Sequence, residues 1–147
     1  MIWAVKSFDE LTKEELYKII RLRIEVFSVE QNCPYQDLDN FDQKAIHIMA
    51  WDGENLVAYS RVAMPGIIYE EACIGRVITA QSQRGKGLGK EIMERSIGFL
   101  ENKNAMTIKI MAQTYLLDFY QNLGFVITSE EFLEDDLPHH YMVRKAS

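Results

Sequence analysis

The stretch from Ile74 to Gly89, Ile-Gly-Arg-Val-Ile-Thr-Ala-Gln-Ser-Gln-Arg-Gly-Lys-Gly-Leu-Gly, limits most tightly what this chain can become. Ile74 to Thr79 is short, apolar and β-branched, and reads as a strand. Gln81 to Gly89 is polar and then glycine-rich, so the chain must leave the strand and turn. From Leu88 the apolar period changes: Leu88, Ile92, Met93, Ile97 and Leu100 share one face of a helix. Strand, glycine loop and helix start in that order describe an anion site. The first amides of a helix have no partner within it, and the helix dipole places partial positive charge there. Gly85, Gly87 and Gly89 remove side chains that would hold a phosphate away from those amides, while Arg84 and Lys86 add two full charges.

Two phosphate motifs are excluded by spacing. Counting back from Gly89-Lys90, a Walker A loop would need glycine at Arg84 and a hydroxyl residue at Glu91. A dinucleotide fingerprint would need its third glycine at Lys90 or Ile92. A net charge of −6 argues against nucleic-acid binding, which needs a basic face. No apolar run approaches membrane-spanning length, and the Met1–Lys6 start lacks the pattern of a signal peptide. Cys33 and Cys73 have no metal-site spacing and read as free thiols in a cytoplasmic protein. The 147 residues, 48% of them apolar, suit a single unit spanning 1–147.

Taken in order, Met1–Ser7 predicts an edge strand. Thr12 and Glu15 form a capping box at the head of a helix over Lys13–Ser28, with Leu16, Ile19, Ile20 and Phe27 on one face. An acidic loop, Glu30–Lys44, carries Asp37, Asp39 and Asp42. A hairpin follows, Ala45–Trp51 and Leu56–Met64 about the Asp52–Asn55 turn. After the central strand, glycine loop and helix come a strand at Thr107–Gln113, a short helix at Tyr115–Leu123 with Gly124 as its C-cap, and a strand at Phe125–Thr128. An acidic loop, Ser129–Pro138, then leads to a last strand, His139–Lys145. The order predicts an α/β (α+β) fold of three layers, a mixed sheet with helices on both faces.

Arg84-Gly85-Lys86-Gly87-Leu88-Gly89 resembles the Arg/Gln-x-x-Gly-x-Gly/Ala loop of the GNAT acetyltransferase superfamily, which binds the pyrophosphate of acetyl-coenzyme A. Leu117–Phe125 is similar to the Phe-Tyr-x-x-x-Gly-Phe segment that follows the family's fifth strand. Val26–Tyr35, followed by Asp39, Asp42 and His47, looks like the opening of the ElaA-like branch. The element order matches the family fold, a mixed and mostly antiparallel sheet of about six to seven strands. The resemblance implies an acyltransferase that moves an acetyl group from acetyl-coenzyme A to a primary amine of a small molecule or peptide. It also implies a direct ternary complex, with no metal. It places the pantetheine arm beside Val77, Ile78 and Thr79, and the pyrophosphate on Arg84, Gly85, Lys86, Gly87, Leu88 and Gly89.

The same resemblance makes Tyr120 the candidate acid. A phenol keeps its proton at neutral pH and can give it to a departing thiolate; the alternative is a packing tyrosine beside Leu116, Leu117 and Phe119. The base is open among Glu30, Asp39 and His47. Arg61 and Arg76 lie within strands, where a charge needs a partner. Either they bind a substrate carboxylate or they pair with the acidic loop. Carboxylates interleaved with Tyr35 and Phe41 would suit an ammonium acceptor. His139 and His140 are adjacent and point to opposite faces of a strand, and the loop aspartates lack calcium-loop spacing, so no metal is expected. A homodimer is compatible with the sequence. A non-catalytic acyl-coenzyme A-binding module, or a protein-interaction module using the acidic segments, is the rival reading.

Overall fold

The computed structural model describes residues 1–146, so Ser147, the last residue of the expected 1–147 unit, lies outside the described residues. Its centre is one sheet with strand order β1 (Ile2–Ser7), β2 (Ile46–Asp52), β3 (Asn55–Ala63), β4 (Ala72–Thr79), β5 (Thr107–Gln113), β8 (Leu137–Lys145) and β6 (Val126–Ile127), with β7 (Phe132–Glu134) also paired to β8. Eight strands stand where about six to seven were expected. The surplus comes from the acidic segment read as a loop. Phe132–Glu134 pairs with Leu137–His139 as a hairpin, and Asp135 and Asp136 form its two-residue turn at φ 52 and 62. Aspartate tolerates that left-handed backbone, so a short acidic stretch can reverse the chain. Every neighbouring pair is antiparallel except β4 with β5.

Helices cover both faces because strand residues alternate. On one face Ile48, Ala50, Ala58, Val62, Ile74, Ile108 and Ile110 pack against Leu88, Ile92, Met93, Ile97 and Leu100 of α2 (Leu88–Asn102). Tyr120 of α3 (Leu117–Gln121) and Phe125 complete that cluster. On the other, Met49, Tyr59 and Ile78 meet Ile19, Leu22 and Val26. Ile19 and Leu22 belong to α1 (Lys13–Arg23), whose N-cap Thr12 accepts from the Glu15 amide at 3.1 Å while the Glu15 carboxylate accepts from the Thr12 amide at 2.8 Å. The helix does not stop at Ser28 as expected. It widens into a π-helical segment, Ile24–Glu30, which buries Val26 in the core while Phe27 packs, partly buried, against the same cluster.

The two clusters set a scale for mutation. Met93→Ala removes a side chain with 0% exposure and should cost about 2–5 kcal/mol. Thr12→Ala removes one cap bond and should cost about 1 kcal/mol. Urea unfolding followed by circular dichroism checks both values and their order.

Candidate active site

The parallel pair at the centre of the sheet barely exists. β4 and β5 pair only through Ala72 with Ile108 and Cys73 with Lys109. Beyond those residues the strands part, and the β5-facing backbone of β4 has no ladder partner. The departure coincides with a bulge. Tyr59 faces Ile78 and Arg61 faces Gly75, so Arg76 and Val77 stand against Ser60 alone. Arg76 takes φ 50; among the described residues it is the one positive-φ position that is not glycine, asparagine or aspartate. For such a side chain that conformation costs roughly 1–2 kcal/mol.

Where β4 ends, a 3-10 turn (Gln81–Gln83) leads into Gly85 and Gly87 at φ 81 and 78. Gly87 is the N-cap of α2 and supplies no side-chain cap bond, so the first amides of the helix are open to an anion. A Cβ on either glycine would meet nothing within 4 Å. A Cβ on Gly89 would lie 3.7 Å from the Thr79 hydroxyl and 3.9 Å from Phe119, so β4, α2 and α3 converge here. Lys86 is exposed. Arg84 donates through Nε to the Thr79 carbonyl (3.2 Å) and through Nη2 to Glu30 Oε2 (2.7 Å). An internal carboxylate thus already occupies one guanidinium edge beside the loop.

Tyr120 lies on α3, beside β5. Its ring meets Phe119 and Phe125 edge-on at centroid distances of 5.1 and 6.1 Å. Burial pushes its phenol up to about 12, so the group keeps its proton throughout the neutral range. Tyr115, by contrast, is 72% exposed.

The residues expected on the acceptor side are brought together, but to one another. Arg23 binds Asp37 (2.6 Å) and Asp42 (2.8 Å), Arg61 binds Asp42 (3.0 Å) and Asp39 (2.7 Å), and Arg76 binds Asp39 (3.3 Å) and Asp37 (2.8 Å). The six side chains close a ring of alternating charge, three cations with three anions. Burial alone would raise the Asp39 carboxyl; the Arg61 guanidinium outweighs it and holds the group at about 2. His47 has 0% exposure. Its Nδ1 meets the Tyr59 hydroxyl at 2.6 Å and its Nε2 the Asp42 carbonyl at 2.9 Å, and burial lowers its pKa. A histidine so enclosed bridges β2, β3 and the loop. Arg61 and Arg76 take the second of their two expected roles, pairing with the acidic loop. The three loop aspartates are accordingly each paired with two guanidinium groups.

Arg23 is a further member of the ring, beyond the residues that the sequence motifs single out. It stands four residues after Ile19 and four before Phe27, on the apolar face of its helix, and a charge in that stripe was the available signal.

The start of the acidic loop crosses the wide end of the cleft. Glu30 reaches Arg84 beyond β4, and Gln113, the last residue of β5, donates to Gln31 at 3.4 Å. Further on, Cys33 contacts the Asp135 carbonyl at 3.5 Å, and the Tyr35 hydroxyl hydrogen-bonds the Asp136 carboxylate in the β7–β8 turn. Cys73 is buried, and burial pushes its thiol up to about 11, which makes it a poor nucleophile. Among the described residues, no three His, Cys, Asp or Glu side chains are gathered to hold a metal, and no helix is long and apolar enough to cross a membrane.

The ring predicts an acid weakness with a definite sign. A carboxylate depressed in the folded state contributes stability above its ordinary value and loses it as pH falls through the folded value. For Asp39 that window runs from 3.8 down to about 2. Unfolding free energy should decline across it, and the decline should be shallower in Asp39→Asn. Asp42→Asn, which strips the buried Arg23 and Arg61 of a shared partner, should cost about 3–5 kcal/mol at neutral pH. Urea titrations at a series of pH values measure both.

Comparison with known proteins identifies the family. The acetyltransferase (GNAT) domain family matches residues 9–146. The chain is 36% identical to protein ElaA of Escherichia coli (strain K12) over 146 residues, which is 97% of this chain and 95% of ElaA. The crystal structure of Escherichia coli ElaA superposes with a TM-score of 0.93, covering 99% of this chain and 100% of that one. The structure of an acyl-CoA N-acyltransferase from Pseudomonas aeruginosa also gives 0.93, at 40% identity, covering 97% and 98% of the two chains. The chain belongs to the GNAT acetyltransferase family, and it is an acyltransferase that works from an acyl-coenzyme A donor.

Proposed function

We propose that the protein is an acetyl-coenzyme A-dependent N-acetyltransferase that transfers the acetyl group directly to a primary amine within a ternary complex. The observation that carries this reading is the parting of β4 from β5 immediately before the glycine loop. A slot between two strands, with unpaired strand backbone on one wall and a helix N-terminus at its end, suits an extended thioester with a phosphate at its far end. In this reading the amides from Gly85 to Gly89 take the pyrophosphate. Each charge-assisted bond contributes roughly 1.5–3 kcal/mol, so a few account for micromolar affinity, about −8 kcal/mol. Arg84 and Lys86 add charge, and Val77, Ile78 and Thr79 offer backbone groups to the pantetheine arm and the acyl carbonyl. Tyr120 protonates the departing thiolate. Of the three expected bases, Glu30 alone combines solvent access with a single ion pair; Asp39 is held by two guanidinium groups and His47 is enclosed. The acceptor is a small-molecule or peptide amine, and the neutral ring leaves no excess of loop carboxylates to select a polycation.

Coenzyme A release from acetyl-coenzyme A with a panel of primary amines tests the activity. Binding without release in any of them would leave a non-catalytic acyl-coenzyme A-binding protein. Gly87→Asn tests the cradle, because asparagine tolerates φ 78 while its side chain fills the open space. Calorimetric affinity for acetyl-coenzyme A should fall while the melting temperature holds. Tyr120→Phe keeps the aromatic packing and removes the proton. Turnover should fall by roughly 10²–10⁴ with cofactor affinity unchanged; a variant that turns over normally returns Tyr120 to the core.

A further inference from the structure

The bulge in β4 needs a cause. Arg76 holds a left-handed backbone that its side chain disfavours, in the middle of a strand, three residues past the last rung between β4 and β5. No turn or cap imposes this. What reaches it is the ring. Arg76 Nη2 donates to the Asp37 carbonyl at 2.8 Å, its Nε lies 2.8 Å from Asp37 Oδ1, and Nη2 lies 3.3 Å from Asp39 Oδ2. Asp37 and Asp39 are themselves fixed by Arg23 on α1 and Arg61 on β3. The guanidinium is therefore anchored to a helix and a neighbouring strand through two carboxylates, and its backbone follows.

We propose that Arg76 is a positioning residue for acyl transfer: the Asp37–Asp39 clamp on its guanidinium holds the left-handed bulge that sets the Val77 backbone against the thioester carbonyl. This rests on the reading that the thioester lies in the β4–β5 cleft. Arg76 touches no reacting atom. It acts through Val77, the residue that follows it, as a tensioned side chain acts on the backbone that carries it. Donor geometry at a polarised carbonyl is sensitive to displacements of an ångström, and the clamp supplies that precision from outside the cleft.

The test separates this role from the function it serves. In ¹⁵N-labelled protein, the Val77 amide resonance is followed on adding free coenzyme A and, separately, acetyl-coenzyme A. The wild type should show a response at Val77 that only the acetyl form produces. Arg76→Gln should lose that acetyl-specific response and reduce kcat on the order of 10²-fold, with affinity for free coenzyme A unchanged. Arg76→Lys, which keeps a charge for the clamp, should recover much of both. If Arg76→Gln does not fold, Asp39→Asn decides, since it loosens the clamp and leaves Asp37 in place; the same losses in milder form support the proposal, and unchanged spectra and kcat overturn it. Retention of both signals in a folded Arg76→Gln also overturns it while the acyl-transfer reading stands. A wild type with no acetyl-specific response and no coenzyme A release would sink the acyl-transfer reading, and the positioning role with it.

Discussion

Everything at the candidate site depends on a hydrogen-bond ladder that stops after two rungs. Parallel strands ordinarily continue as long as both chains are extended, because an unpaired backbone group costs free energy when water is excluded. Here the ladder between Ala72–Cys73 and Ile108–Lys109 is abandoned with most of both strands still to come. The sheet survives the split because each half has its own ties. β4 is held by β3, β5 by β8, and α2 packs across β3 and β4. The free edges then face one another across a slot, and the polar backbone that lines it is an offer to a ligand.

The charge ring shows the same logic in side chains. Six ionised groups drawn largely out of water would be untenable singly; closed into a cycle, each meets two partners of opposite sign. Such a cycle is worth less as stability than as geometry. It joins α1, β3, β4 and the acidic loop at fixed angles, which an apolar cluster of the same volume would leave free to slide.

Local patterning made much of this legible. The glycine loop, the capping box, the hairpin turn and the apolar face of α2 each follow from the period or turn chemistry of a few residues, and each stands where it was read. The departures are those in which distant residues decide. The bulge at Arg76 depends on the register of β3, and nothing in Gly75-Arg76-Val77 announces it. Asp37, Asp39 and Asp42 look like solvated loop charges until Arg23, Arg61 and Arg76 are folded against them. The π-helical segment after Arg23 keeps an ordinary helical sequence. The β7–β8 hairpin is an intermediate case, since Phe132 and Leu133 beside two aspartates hold a readable turn that acidic composition obscured.

The ring also spans the chain in a way that bears on its lifetime. Its members run from position 23 to position 76, and it cannot close until α1, β3 and β4 are all assembled. Contacts that wait for so much prior structure are generally absent from the folding transition state and present only on its native side. The ring is therefore a lock on departure. A contact that closes last acts on the rate of leaving the fold rather than on the rate of reaching it.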